Sequence, residues 1–241
     1  MTPDEHHPRT RRALAVVVPG AVLVVVGLLV FAKMLDDVRE SDDLAAVDQT
    51  VLEWLVAHRS PWVTSVLQAI TFVTGPTVLP VVVLVACVVW WRVRRVWWRP
   101  ALLAGAMVVS TALGLLVKGI VARPRPPVET MHVPGAETTA SFPSGHTLGT
   151  ATFLLVAGYL VCSRHRSVGL VAVWLLAAVV GTGLVALSRL YLGYHFLTDV
   201  LAAVGLAVVV LGLVTVVDRW RTLPASGALD VPVLPVVPRD G

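Results

Sequence analysis

Six apolar runs dominate this chain, and their length dictates what it folds into. They occupy residues 13–32, 77–91, 101–117, 147–161, 168–187 and 196–217. Crossing about 30 Å of hydrocarbon takes roughly 20 helical residues, so the runs read as six spans, the second and fourth borrowing residues from their flanks. Backbone in lipid must satisfy its own N–H and C=O groups, and a helix does this within one segment. The expected fold class is therefore an all-α integral membrane protein with six transmembrane helices. Composition agrees, with 56% hydrophobic and only 14% charged residues, where a soluble domain carries about a quarter charged.

The remaining segments complete the layout. Residues 61–74 are apolar but broken by Thr64, Ser65, Gln68 and Thr71 and end at Gly75-Pro76, which suits an interfacial or partly buried helix. The first run follows Arg9, Arg11 and Arg12, exceeds a signal-peptide core in length and lacks an A-x-A-like site, so it reads as a retained anchor. Residues 1–12 form an N-terminal segment, 13–220 the membrane domain, and 221–241 a Pro-rich tail expected to be disordered. Cys87 and Cys162 follow neither disulfide nor metal spacing and read as buried small apolar residues.

Basic residues orient the bundle. The N-terminus, the 92–99 loop, the 163–167 loop and the tail fall on one side if the spans alternate, and they hold most of the 19 Lys and Arg residues. That side is expected to be cytoplasmic, with both termini there. Trp90, Trp91, Trp97 and Trp98 flank its loop as an interfacial belt would. The net charge of +4 then reflects topology, and no nucleic-acid partner is expected.

Three polar clusters interrupt the apolar chain on the opposite, outward side: Lys118 with Arg125-Pro126, then Pro143-Ser144-Gly145-His146, then Ser188-Arg189 with His195 and Asp199. Ionisable side chains in a bilayer cost at least about 2.5 to 3.5 kcal/mol each, so a gathering of them marks a functional site. The mixture also has a chemical logic, since loop charges at helix ends need no such combination of donors, acid and base. Lys118, Arg125 and Arg189 supply permanent positive charge, while Ser144 and the Gly145 N–H supply donors near a helix N-terminus. His146, His195 and Asp199 supply acid, nucleophile and orienting carboxylate for phosphoryl transfer. Asp199 lies four residues after His195, on the same helical face if the last span has begun by then. Arg123 adds to the anion field, and His132 reads as a solvated loop histidine.

Lys118-x6-Arg125-Pro126, Pro143-Ser144-Gly145-His146 and Ser188-Arg189-x5-His195-x3-Asp199 resemble the complete three-part signature of the type 2 phosphatidic acid phosphatase family, the lipid phosphate phosphatases. The resemblance implies a membrane phosphatase whose active site lies at the extracytoplasmic membrane boundary. It implies that His195 attacks phosphorus to give a phosphohistidine, that His146 protonates the leaving group and later activates water, and that Asp199 orients His195. Lys118, Arg125, Ser144, Gly145 and Arg189 would then bind the phosphoryl group. No metal or other cofactor is expected, because three neighbouring cations repel a divalent ion. The related vanadium haloperoxidases hold vanadate in a similar constellation but are soluble.

The resemblance also bounds the substrate to an amphiphilic lipid phosphate whose tail stays among the membrane lipids. Undecaprenyl pyrophosphate comes first by family analogy, with phosphatidic acid and phosphatidylglycerophosphate behind it. A phosphotransferase shares every motif, and a non-catalytic lipid-phosphate binder or transporter is the alternative of a different class. Nothing in the sequence fixes the oligomeric state.

Overall fold

The computed structural model describes residues 7–40, 43–135, 137–165 and 167–221, without the side chains of 7–15 and 43–46. The tail beyond Arg221, the first six residues and Arg166 lie outside the described residues. The eight α-helices among them are α1 (His7–Glu40), α2 (Asp43–Ala57), α3 (Pro61–Val73), α4 (Val78–Arg94), α5 (Trp98–Val121), α6 (Gly145–Cys162), α7 (Val168–Tyr191) and α8 (Leu197–Arg221). No strand occurs among the described residues. Five helices, α1, α5, α6, α7 and α8, are long and apolar enough to cross a membrane. The consecutive pair α3 and α4, which meet at a 55° bend, makes a sixth such unit when the two are taken together.

That bend lies at the Gly75-Pro76 break. The sequence reading treated 61–74 and 77–91 as an interfacial helix and a span. In the structure the two helices are consecutive halves of one bent unit, and α4 alone has 17 residues, slightly under a full crossing. A second difference is α2, a helix that the apolar runs did not reveal. Asp48, Leu52 and Leu55 are buried there at 2%, 2% and 8% exposure, a spacing of four and three that places all three on one helical face.

α8 and α6 form the centre of the bundle, while α1 and α7 expose most of their apolar surface. Lipid tails are as apolar as leucine, so close packing rather than hydrophobicity holds such helices together. The contact of α1 with α8 illustrates this. A Cβ at Gly27 would lie 2.5 Å from the Gly205 carbonyl oxygen, and one at Gly20 would lie 2.7 Å from that of Gly212. The two glycine pairs recur two turns apart and let the backbones nearly touch.

At one end of the bundle Arg99, counted in the sequence as a loop cation, is buried in the first turn of α5. It donates to the Leu160 carbonyl and to Ser163 Oγ (3.0 Å), and lies 3.5 Å from Asp218. Arg221 stacks over Trp98 at 3.9 Å. Cys87 and Cys162 are free and half-buried rather than fully buried, and the Cys87 thiol donates to the Pro100 carbonyl at 3.4 Å. The three polar clusters gather at the other end.

Candidate active site

Four helix ends deliver the clusters. α5 ends at Val121, and Ala122 caps it in the left-handed region with φ 48° and opens the 122–144 loop. α7 ends at Tyr191, and the turn to α8 passes through Gly193 at φ 76°. A side chain at Gly193 would suffer both that backbone and a collision with the Thr130 carbonyl. This tight turn carries His195 inward, to 1% exposure.

The condition that the last helix has begun by His195 is not met, since His195 precedes α8 by two residues. It still meets Asp199, because Asp199 folds back over the start of its own helix and accepts the Phe196 N–H at 2.9 Å. The same oxygen, Oδ2, lies 3.2 Å from His195 Nδ1 and accepts from Ser141 Oγ at 2.5 Å. On the far side of the ring, Arg125 Nη1 lies 3.3 Å from His195 Nε2. A guanidinium only donates, so this network assigns the lone pair to Nε2 and the proton to Nδ1. Burial pushes the His195 pKa down to about 4 against the opposing pull of Asp199, and the Arg189 and Arg125 charges add to the lowering. The imidazole is therefore neutral at neutral pH.

The cations surround an anion slot that Glu137 fills. Arg125 donates to Glu137 Oε2 at 3.0 Å, and Arg189 pairs with Oε1 of the same carboxylate. Burial alone would raise the Glu137 pKa, but Arg189 and Arg125 reverse this and hold it below the usual carboxylate value. Arg189 is 1% exposed, lies over the Tyr194 ring at 4.5 Å, and keeps its buried Nε without a partner among the described residues. Arg125 also donates to the carbonyls of Thr139 (2.7 Å) and Tyr194 (2.8 Å), which fixes its fork. Lys118 is tied to the loop, donating to the Ala140 carbonyl and, at 3.4 Å, to that of Ser141.

At the start of α6, Ser144 is fully buried, and its N–H is taken by the Asp199 carbonyl at 3.1 Å. Its hydroxyl lies 3.0 Å from Thr147 Oγ1. Ser144 therefore pins the loop to α8, and the donors left for an anion begin at Gly145, whose first-turn position has no partner within the helix. His146, half-buried in the same turn, has no hydrogen bond to its ring among the described residues. A Cβ on Gly75 would lie 3.4 Å from His146 Nε2, so the bend between α3 and α4 closes over this imidazole. Ser188 instead joins α7 to α3 through Thr71 Oγ1 at 2.8 Å.

His195, Asp199, Arg125 and Arg189 thus converge directly, Lys118 and Ser144 through backbone groups, and Gly145 and His146 along the adjoining helix start. Arg123, read as part of the anion field, is committed elsewhere: it donates to Asp199 Oδ1 at 2.7 Å and to Asp48 Oδ2 at 2.8 Å. His132 is half-exposed, as a loop histidine should be, with its N–H on the Leu192 carbonyl. Sequence reasoning missed Ser141 and Glu137. Ser141 sits three residues before Ser144, close enough to a cluster to have been weighed, whereas nothing local marks Glu137.

Comparison with known proteins follows the same lines. The family model of the PAP2 superfamily matches residues 99–223, which contain all three clusters. Phosphatidylglycerophosphatase B of Bacillus subtilis is 28% identical over 202 residues, covering 80% of this chain and 94% of the relative. The crystal structure of a transmembrane PAP2-type phosphatidylglycerolphosphate phosphatase from Bacillus subtilis superposes with a TM-score of 0.70 at 25% identity, covering 81% of this chain and 96% of that one. Aquifex aeolicus LpxE shares the fold, with a TM-score of 0.55 at 20% identity over 70% of this chain and 94% of its own. A helical bundle with five or six membrane-crossing units, carrying these clusters at one end and matching the family over more than half its length, is a multi-pass membrane phosphatase that belongs to the PAP2 superfamily.

Proposed function

We propose that the protein hydrolyses the terminal phosphate of a glycerophospholipid, phosphatidylglycerophosphate first, through a covalent phosphohistidine on His195. One observation carries the chemistry: His195 is held by Asp199 at Nδ1 while Nε2 faces Arg125 beside an anion slot. Nε2 forms a bond to phosphorus as the bond to the leaving oxygen breaks, and His146 supplies that oxygen's proton. His146 then takes a proton from water, which attacks phosphorus, breaks the N–P bond and releases inorganic phosphate. Lys118, Arg125, Arg189 and the Gly145 N–H stabilise charge on the equatorial oxygens. The reaction uses no divalent ion, since side-chain cations supply the positive field.

The similarity to a phosphatidylglycerophosphatase supports that substrate over undecaprenyl pyrophosphate, which family analogy had placed first. The test is inorganic phosphate released by purified protein in detergent from phosphatidylglycerophosphate, phosphatidic acid and undecaprenyl pyrophosphate. The proposal expects the highest kcat/KM for phosphatidylglycerophosphate. A preference for the pyrophosphate overturns the substrate, and phosphate passed only to an added alcohol overturns the hydrolase.

Glu137 competes with substrate in this scheme. An incoming phosphoryl group must displace its carboxylate, which is 23% exposed and sits on a loop. A neutral amide holds two arginines less strongly, so Glu137→Gln is expected to lower the Ki for vanadate about fivefold or more. A raised Ki would mean that Glu137 chiefly positions the arginines.

We also place the site on the outward face, on the strength of the basic-loop asymmetry. With Cys87 and Cys162 replaced by Ala, Val133→Cys is expected to react with an impermeant thiol reagent in intact cells and His165→Cys is not. The reverse pattern overturns this orientation.

A further inference from the structure

Asp48 lies outside all three clusters and is separated from its partner Thr198 by 150 residues of sequence. It is 2% exposed, in a helix that sequence reasoning did not find. Two of its three hydrogen bonds go to Thr198 at the start of α8 and the third to Arg123 in the loop after α5. Oδ1 accepts the Thr198 N–H at 2.9 Å, and Oδ2 accepts from Thr198 Oγ1 at 2.6 Å and Arg123 Nη2 at 2.8 Å. Arg123 Nη1 in turn donates to Thr198 Oγ1 and to Asp199 Oδ1, both at 2.7 Å. The guanidinium lies over the Phe196 ring at 4.3 Å, which leaves its plane little freedom.

We infer that Asp48 and Arg123 are positioning residues for the phosphoryl-transfer reaction, fixing Asp199 so that its second oxygen meets His195. The inference rests on the phosphatase reading proposed above. Arg123 occupies Oδ1 of Asp199 and leaves Oδ2 for Ser141, Phe196 and His195. Asp48 holds Arg123 from the other side and caps the first turn of α8 through Thr198, so both anchors of Asp199 depend on one carboxylate from α2. A pin that merely docked α2 would need a single partner, and these bonds reach only groups that touch or flank Asp199. Asp37 gives the contrast: it is equally buried at 1%, but its ion pair is with Lys33 on its own helix.

Asp48→Asn keeps an acceptor for the Thr198 N–H but turns an amide N–H₂ toward Arg123 and Thr198, which also donate. A reacting atom misplaced by about 1 Å costs on the order of 100-fold, and a smaller shift costs part of that. The expected result is a kcat at least tenfold below wild type, with KM within twofold and vanadate still bound at one per chain by calorimetry with Kd within twofold. Asp37→Asn is expected to keep wild-type kcat.

A double-mutant cycle separates positioning from docking. Asp48→Asn combined with Arg123→Gln is expected to be no more than threefold slower than Arg123→Gln alone, because the two act as one unit. Losses that multiply, a kcat for Asp48→Asn within twofold of wild type, or loss of the vanadate stoichiometry in that variant each overturn the inference. A wild type that releases phosphate from none of the lipids tested defeats the phosphatase reading and this inference together. Wild-type turnover with an unaffected Asp48→Asn variant defeats only the latter.

Discussion

His195→Ala is expected to lower kcat by at least about 10⁴-fold while vanadate still binds with a Kd within a fewfold of wild type. The reason is a division of labour among the buried groups. In the proposed mechanism Arg125, Arg189 and Lys118 hold the anion and do not depend on the imidazole, whereas among the described residues His195 is the imidazole that a carboxylate orients beside the slot. Removing a nucleophile leaves only what binding and electrostatics contribute. Steady-state kinetics with calorimetry checks both halves of the expectation, and turnover within a hundredfold of wild type removes His195 from the role. A linked pH effect has a definite sign. The His195 pKa is depressed to about 4, so the nucleophile is present above that value, and kcat/KM is expected to fall only as the pH drops toward it.

Asp199→Asn is expected to cost about 10³-fold in kcat, although it changes a single atom. Oδ2 of Asp199 receives three donors, from Ser141, Phe196 and His195, and Oδ1 receives Arg123. An amide placed there must turn its N–H₂ toward the three donors or toward the guanidinium, and both arrangements set donor against donor. The first also forces the imidazole proton onto Nε2, which removes the lone pair that attacks phosphorus in the proposed mechanism. The second loosens Arg123 from its buried pair, and breaking such a pair costs about 3 to 5 kcal/mol. Comparing kcat and the detergent melting temperature of Asp199→Asn distinguishes the two arrangements. A kcat within tenfold of wild type would mean that orientation of His195 matters little.

Much of this architecture is written locally in the chain. The long apolar runs declare helices because lipid admits few other backbones, and the three clusters declare themselves because their residue types make no sense in lipid unless they act together. Boundaries were less legible. α1 continues to Glu40, beyond the apolar stretch that ended at residue 32, because its last turns bury Met34 and Asp37 inside the protein and so need no continuous apolar run. α2 escaped notice because it is too short and too rich in acidic residues to stand out as an apolar run, and the buried stripe of Asp48, Leu52 and Leu55 appears only once a partner surface is known.

The missed site residues share one property. Ser141, Glu137 and Asp48 acquire their roles through partners brought from 52 to 150 residues away, and single residues at such separations leave no pattern in a sequence. The paired glycines of α1 and α8 are intermediate: the spacing from Gly20 to Gly27 matches that from Gly205 to Gly212, yet only the fold reveals that they face one another.

The central claim is that a phosphoryl group passes through His195, and trapping it there is the most direct test. Purified protein mixed with phosphatidylglycerophosphate labelled in its terminal phosphate, quenched in alkali within milliseconds and mapped by peptide mass spectrometry, is expected to carry the label on His195. His195→Ala should carry none. Label on His146, or a burst of free phosphate with no labelled protein at any time, would contradict the account.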